Sequence, residues 1–183
     1  MTTKCRRGLA AVVPGIALLL VAGCSTDGRD YAVPREICGV RVPQKVLEPL
    51  LPDGEKLHQS LRPVGEDGSL ADCQVNVVDG PIAVQVDITR LDKPLTAEDK
   101  QVSLKSESLK HAKSVHIAGT HWAVQGDNDL HLSTPCGTDR ADSLSFRFSF
   151  SKGEQGTEVT RRNTLRFAKA FVDGRKKKEG CTK

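Results

Sequence analysis

The chain has 183 residues, 38% hydrophobic and 27% charged, with 27 basic against 23 acidic side chains and a net charge of +4. That length suits one domain whose folding buries roughly two thirds of the surface of the unfolded chain. So nearly balanced a charge argues against nucleic-acid binders, which rely on a strongly basic face.

The first element is a leader. Lys4, Arg6 and Arg7 precede a charge-free apolar stretch from Leu9 to Val21, and small residues follow before Cys24. Basic, apolar and small-residue regions in that order form a secretory signal, too short and wrongly flanked for a spanning helix. The run Val21-Ala22-Gly23-Cys24 resembles the lipobox of bacterial lipoproteins. The resemblance implies removal of residues 1–23, diacylation of the Cys24 thiol, and a mature chain held in the cell membrane on its extracytoplasmic face. Two acyl chains, at about 0.8 kcal/mol per buried methylene, anchor it stably. General secretion is the expected export route, with Arg6-Arg7 leaving the twin-arginine route open. Losing the leader removes three basic groups and no acidic one, which brings the net charge from +4 to +1.

Residues 24–37 are polar and turn-rich and read as the lipidated terminus and its tether, with 38–183 as a single extracytoplasmic domain. Pro43 opens a short helix through Val46, Leu47, Leu50 and Leu51, which Pro49 interrupts and Pro52-Asp53-Gly54 ends. From Gly54 to Gly68 the chain reads as loop. Cys73, Val75 and Val77 then alternate with polar residues, and after Asp79-Gly80-Pro81 so do Ile82, Val84, Val86 and Ile88. That is a hairpin with one buried face. Thr96 and Asp99 form a capping-box pattern for a helix near 97–109.

A three-stranded meander over 114–134 is expected to put Val115, Ile117, Trp122, Val124, Leu130 and Leu132 on one face. Leu144, Phe146, Phe148 and Phe150 form the cleanest strand. Gly153 and Gly156 bracket a loop. Leu165, Ala168, Phe171 and Val172 recur at helical spacing and predict an amphipathic helix from about 161 to 177, capped by Gly180. Its basic run, Arg175 to Lys178, complements the helix dipole, with anionic lipid as the competing partner. A helix stripe laid on a sheet face gives an α+β domain: an antiparallel sheet with the C-terminal helix packed on one face. The alternative is a β-sandwich with a peripheral helix.

Cys38, Cys73, Cys136 and Cys181 suit two disulfides in an oxidising compartment, with free structural thiols as the alternative. Three pairings are possible, and Cys38–Cys73 with Cys136–Cys181 is expected because consecutive pairing closes one loop in each half. The Cys38-Gly39 pair followed by a short helix, the later cysteines at strand edges and the lipobox together resemble small cell-surface lipoproteins of actinomycetes, of the DUF3558-like kind. That resemblance implies anchorage and disulfides without lending a catalytic residue.

His116, His121 and His131 fall on the predicted solvent face of the meander around Ala123. Three imidazoles so placed could hold Zn²⁺ or Cu²⁺, and the plain reading is ordinary solvent-facing strand positions. No Gly-x-Ser-x-Gly or His-Glu-x-x-His occurs, the carboxylates are scattered, and no motif calls for a cofactor. The leading expectation is a membrane-anchored binding or accessory domain for a small ligand or an envelope protein, without turnover. A cell-envelope hydrolase with a non-local active site and a metal-binding lipoprotein are the alternatives.

Overall fold

In a computed structural model the described residues are 28–65, 68–78, 80–151 and 157–181. The segment expected to be a leader, Cys24, and Gly153 and Gly156 lie outside them. A small hairpin, β1 (Glu36–Ile37) and β2 (Val40–Arg41), leads into α1 (Gln44–Leu47) and a 3-10 turn at Glu48–Leu50. Then come β3 (Leu57–Val64), β4 (Leu70–Val77), β5 (Ile82–Leu91), α2 (Ala97–Leu104), β6 (Lys113–Val115), β7 (Trp122–Gln125), β8 (Asp129–Thr138), β9 (Ala141–Phe150) and α3 (Glu158–Glu179). Strands β3 to β9 form one sheet in the order β3-β4-β5-β9-β8-β7-β6, antiparallel throughout. Two meanders therefore meet where β9 returns to lie beside β5. No described helix is long and apolar enough to cross a membrane.

The α+β arrangement with α3 on one sheet face is as the periodicities predict. Phe146, Phe148 and Phe150 project from one side of β9 and meet Phe167 and Phe171 of α3 edge-on, with ring centroids 5.8 to 6.5 Å apart. All five phenylalanines of the chain belong to this cluster. Thr157 starts α3 by accepting the Thr160 N–H, and Gly180 ends it in the left-handed conformation. Both expected disulfides, Cys38–Cys73 and Cys136–Cys181, are formed.

Packing is close where α3 crosses the β1–β2 hairpin. A Cβ added at Gly174 would stand 2.6 Å from Val40 Cγ1 and 3.1 Å from the Arg41 carbonyl. Alanine gains about 1 kcal/mol of helix propensity over glycine. Forcing a methyl into a filled contact costs about 1–3 kcal/mol, and here one of the opposing atoms is backbone. Gly174→Ala should therefore destabilise the protein by about 1 kcal/mol in urea unfolding, whereas an exposed glycine in a helix would give a gain.

Several expectations are corrected. Residues 28–37, read as tether, pack onto the domain: Arg29 donates to the Leu51 carbonyl at 2.9 Å, and Asp30 N–H to Gly54 O at 2.8 Å. The carbonyls at the end of the 3-10 turn offer acceptors that the composition of the tether does not reveal. Residues 57–64, read as loop, form edge strand β3. Its alternation is weak and Pro63 is tolerated there because an edge strand needs fewer ladder donors. Pairing with β4 supplies what its own pattern lacks. Helix α2 stops at Leu104, short of 109, and buries no side chain of its own. The capping box itself is present, with Thr96 N–H donating to Asp99 Oδ2 at 2.7 Å.

The meander does not put all its apolar residues on one face. All four residues of β7 are buried. Ala123 and Gln125 face α3, whereas Trp122 and Val124 face the other side and pack with Leu109 and the α2 segment. A second, smaller core thus covers one end of the outer sheet face.

Candidate functional site

With α3 covering the inner face, the outer face of β3, β4, β5 and β9 is where polar residues gather. Register puts Arg62, Asp72, Asp87, Arg147 and His131 opposite one another across five strands, each the Cα partner of the next. They alternate with Cys73, Val86, Phe146 and Leu132 on the inner face, so burial of one side fixes the position of the other. A cleft of about 530 Å³ runs over this row, with Asp72, Asp87 and Arg147 among its lining. Val64 and Leu70 form one apolar wall; Leu91 and Leu95, at the start of the crossing to α2, form the other.

The charges are unevenly satisfied. Asp72 is 8% exposed, and its Oδ2 accepts from Arg62 at 3.0 Å and from Gln74 at 2.8 Å. Its Oδ1 is buried with no hydrogen-bond partner among the described residues. Among the described residues Asp87 accepts only a long bond from Gln85, at 3.4 Å. Among the described residues neither Asp87 nor Arg147 belongs to an ion pair.

His131, at the end of the row, is half-buried. Burial, and then the charge of Arg147, push its imidazole down from 6.5 to about 4. Below pH 6.5 the unfolded chain takes up a proton that the folded His131 refuses, so stability falls as pH drops from 6.5 towards 4. Arg147→Gln should raise the folded value and narrow that window. An NMR titration of the imidazole in both proteins checks this, and an unchanged His131 midpoint would leave burial as the sole cause.

The three candidate metal ligands are not brought together. His116 is exposed beyond β6, and His121 precedes β7 with Nε2 3.4 Å from Ser143 Oγ. His131 pairs with Val124 and shares the face of Trp122, opposite to Ala123. The expected platform assumed Ala123 outside; β7 faces the other way, so His131 remains on the outer face while Ala123 turns towards α3. Among the described residues no group of three His, Cys, Asp or Glu could hold a metal ion.

Two hydroxyl contacts bear on hydrolytic chemistry. The Ser143–His121 pair has the partners of a nucleophile and base, but Ser143 has no exposed surface, so a substrate cannot reach its Oγ. Ser149 donates directly to Asp129 at 2.6 Å, with no imidazole between them. Burial raises the Asp129 carboxyl, the bond from Ser149 opposes this, and the charge of Asp127 adds to the rise.

The basic run of α3 is not a four-charge surface patch. Arg175 is buried against Glu179, Lys176 donates to Thr134 at 3.2 Å, and Lys177 and Lys178 remain exposed. Glu179 also receives Arg90 through two nitrogens at 3.1 and 3.0 Å. Sequence reasoning missed both this ion cluster and the outer row, because Asp72, Asp87 and Arg147 look like ordinary solvent-facing positions until the strands are paired. At the other end of α3, Asp127 accepts from His111 at 2.7 Å and from Arg161 at 2.5 Å. Compared with known proteins, the chain matches no family model, no curated protein and no solved structure.

Proposed function

We propose that this protein is a lipid-anchored extracytoplasmic binding domain, akin to small actinomycete cell-surface lipoproteins, whose outer sheet face holds a small ligand without turnover. The observation that carries the binding role is the one-sided dressing of the sheet. Helix α3 fills the inner face, while the outer face keeps a cleft of about 530 Å³ lined by Asp87 and Arg147, neither of which belongs to an ion pair among the described residues. That volume lies in the range of about 300–1,000 Å³ usual for small-molecule sites. The leader and the Val21-Ala22-Gly23-Cys24 run support the anchor, and two disulfides suit an oxidising compartment.

Each part has its test. Metabolic labelling of the full chain in a bacterial host with an alkyne fatty acid should mark wild type and not Cys24→Ser, which should leave the membrane fraction. Label retained by Cys24→Ser, or a mature terminus elsewhere than residue 24, would overturn the anchor. Native mass spectrometry of the detergent-solubilised protein should find a co-purifying small molecule that Ser145→Trp, filling the cleft, loses. A ligand unaffected by that substitution would place binding elsewhere.

A further inference from the structure

We infer that the outer cleft recognises a small zwitterion with an ammonium and a carboxylate on one carbon, that is, an α-amino acid, and one with an aliphatic side chain. The inference rests on the cleft being the ligand site. Asp87 and Arg147 are direct partners on adjacent strands, about 5 Å apart at Cα. Both line the cleft, and among the described residues neither is neutralised by an ion pair. A cation and an anion one strand apart match a ligand whose opposite charges share one carbon.

Asp72, on the next strand, strengthens the anionic half. It is 8% exposed and lines the same cleft, and its buried Oδ1 lacks a donor although Arg62 already balances its charge. An ammonium with three N–H groups can be held by the Asp87 carboxylate, with the carboxylate of Asp72 beside it. The planar fork of Arg147 suits a carboxylate. A purely anionic ligand would meet Asp87 and Asp72, and a purely cationic one would meet Arg147; like-charge contact of that kind rejects the wrong partner. The apolar walls, Val64 with Leu70 and Leu91 with Leu95, then receive the aliphatic chain.

The test is calorimetric titration of the detergent-solubilised full chain, in buffer free of amines and amino acids. Three probes share one skeleton: L-leucine, 4-methylpentanoate without the ammonium, and 3-methylbutylamine without the carboxylate. Leucine should bind saturably, and each single-charge probe should bind roughly tenfold or more weakly, as the loss of one charged contact implies. Arg147→Gln should weaken leucine by about the same factor and bind the amine no more weakly than wild type; Asp87→Asn should weaken leucine and bind the acid no more weakly. Equal binding of all three probes, or leucine binding unaffected by both variants, would overturn the inference. So would the absence of binding by any probe. If Ser145→Trp still removes the co-purifying molecule in that last case, the cleft remains the ligand site and only the amino-acid assignment falls.

Discussion

Replacing Cys136 and Cys181 together by alanine should lower the stability of the domain by about 4 kcal/mol. The bond closes a loop of sequence separation 45, and cutting it returns that loop's closure entropy to the unfolded chain. It joins β8 to the residue just after the cap of α3, so it also fixes the end of the helix that carries Phe167 and Phe171. Cys136 is 1% exposed, and two alanines there leave a small void as well. A typical domain has only about 5–15 kcal/mol of net stability, so the double variant should unfold at a markedly lower urea concentration with little change in native secondary structure. Cys38–Cys73 closes a loop of separation 35 and should cost a similar amount. Its loss should also loosen the β1–β2 hairpin, which otherwise rests on Ile37, Val40 and the close contact with Gly174. A loss below about 1 kcal/mol for Cys136→Ala/Cys181→Ala would mean that the helix end is held by its ion cluster alone.

What could be read from the sequence follows from how locally each element is determined. β4, β5 and β9 carry strict alternation, and α3 carries both a stripe and caps, so each announces itself within its own residues. The disulfide pairing was legible because it closes one loop in each half of the chain. β3 was not, since Leu57, Gln59, Leu61 and Pro63 make a poor strand until β4 lies beside them. β7 misled for a different reason. Trp122 and Val124 are more apolar than Ala123 and Gln125, which suggests the wrong inner face. Only the α2 crossing, folded over the outer side, makes it reasonable to bury both. The charged row depends on β5 pairing with β9, a long-range contact that no turn fixes, so Asp87 and Arg147 could not be seen as neighbours beforehand. The histidine trio failed on the same ground: spacing along a chain does not determine facing across a sheet.

Glu179→Gln should cost about 3 kcal/mol at neutral pH, because it leaves buried guanidinium charge without its counter-ion. The side chain is 7% exposed and gathers Arg175 at 2.5 Å, Arg90 at 3.0 Å and Arg140 at 3.9 Å. Arg175 is itself 5% exposed at its side chain, and burial pushes its guanidinium down against the pull of Glu179. Glutamine keeps the shape and an acceptor oxygen, so the loss reports charge and not packing. Burial tends to raise the Glu179 carboxyl, but hydrogen bonds from Arg90 and the charges of Arg175, Arg90 and Arg140 outweigh it and hold it below 4.5. A carboxyl depressed in the folded state stabilises fully above its unfolded value and loses that contribution as pH falls through the folded one. The gap between wild type and Glu179→Gln should therefore stay constant from pH 7 to about 5 and close at lower pH. The decline due to His131 lies higher, between 6.5 and about 4, and should be the same in both proteins. Urea midpoints at pH 7, 5 and 3 separate the two. A gap near zero at pH 7 would show that the ion pairs of this four-residue cluster add nothing to the fold.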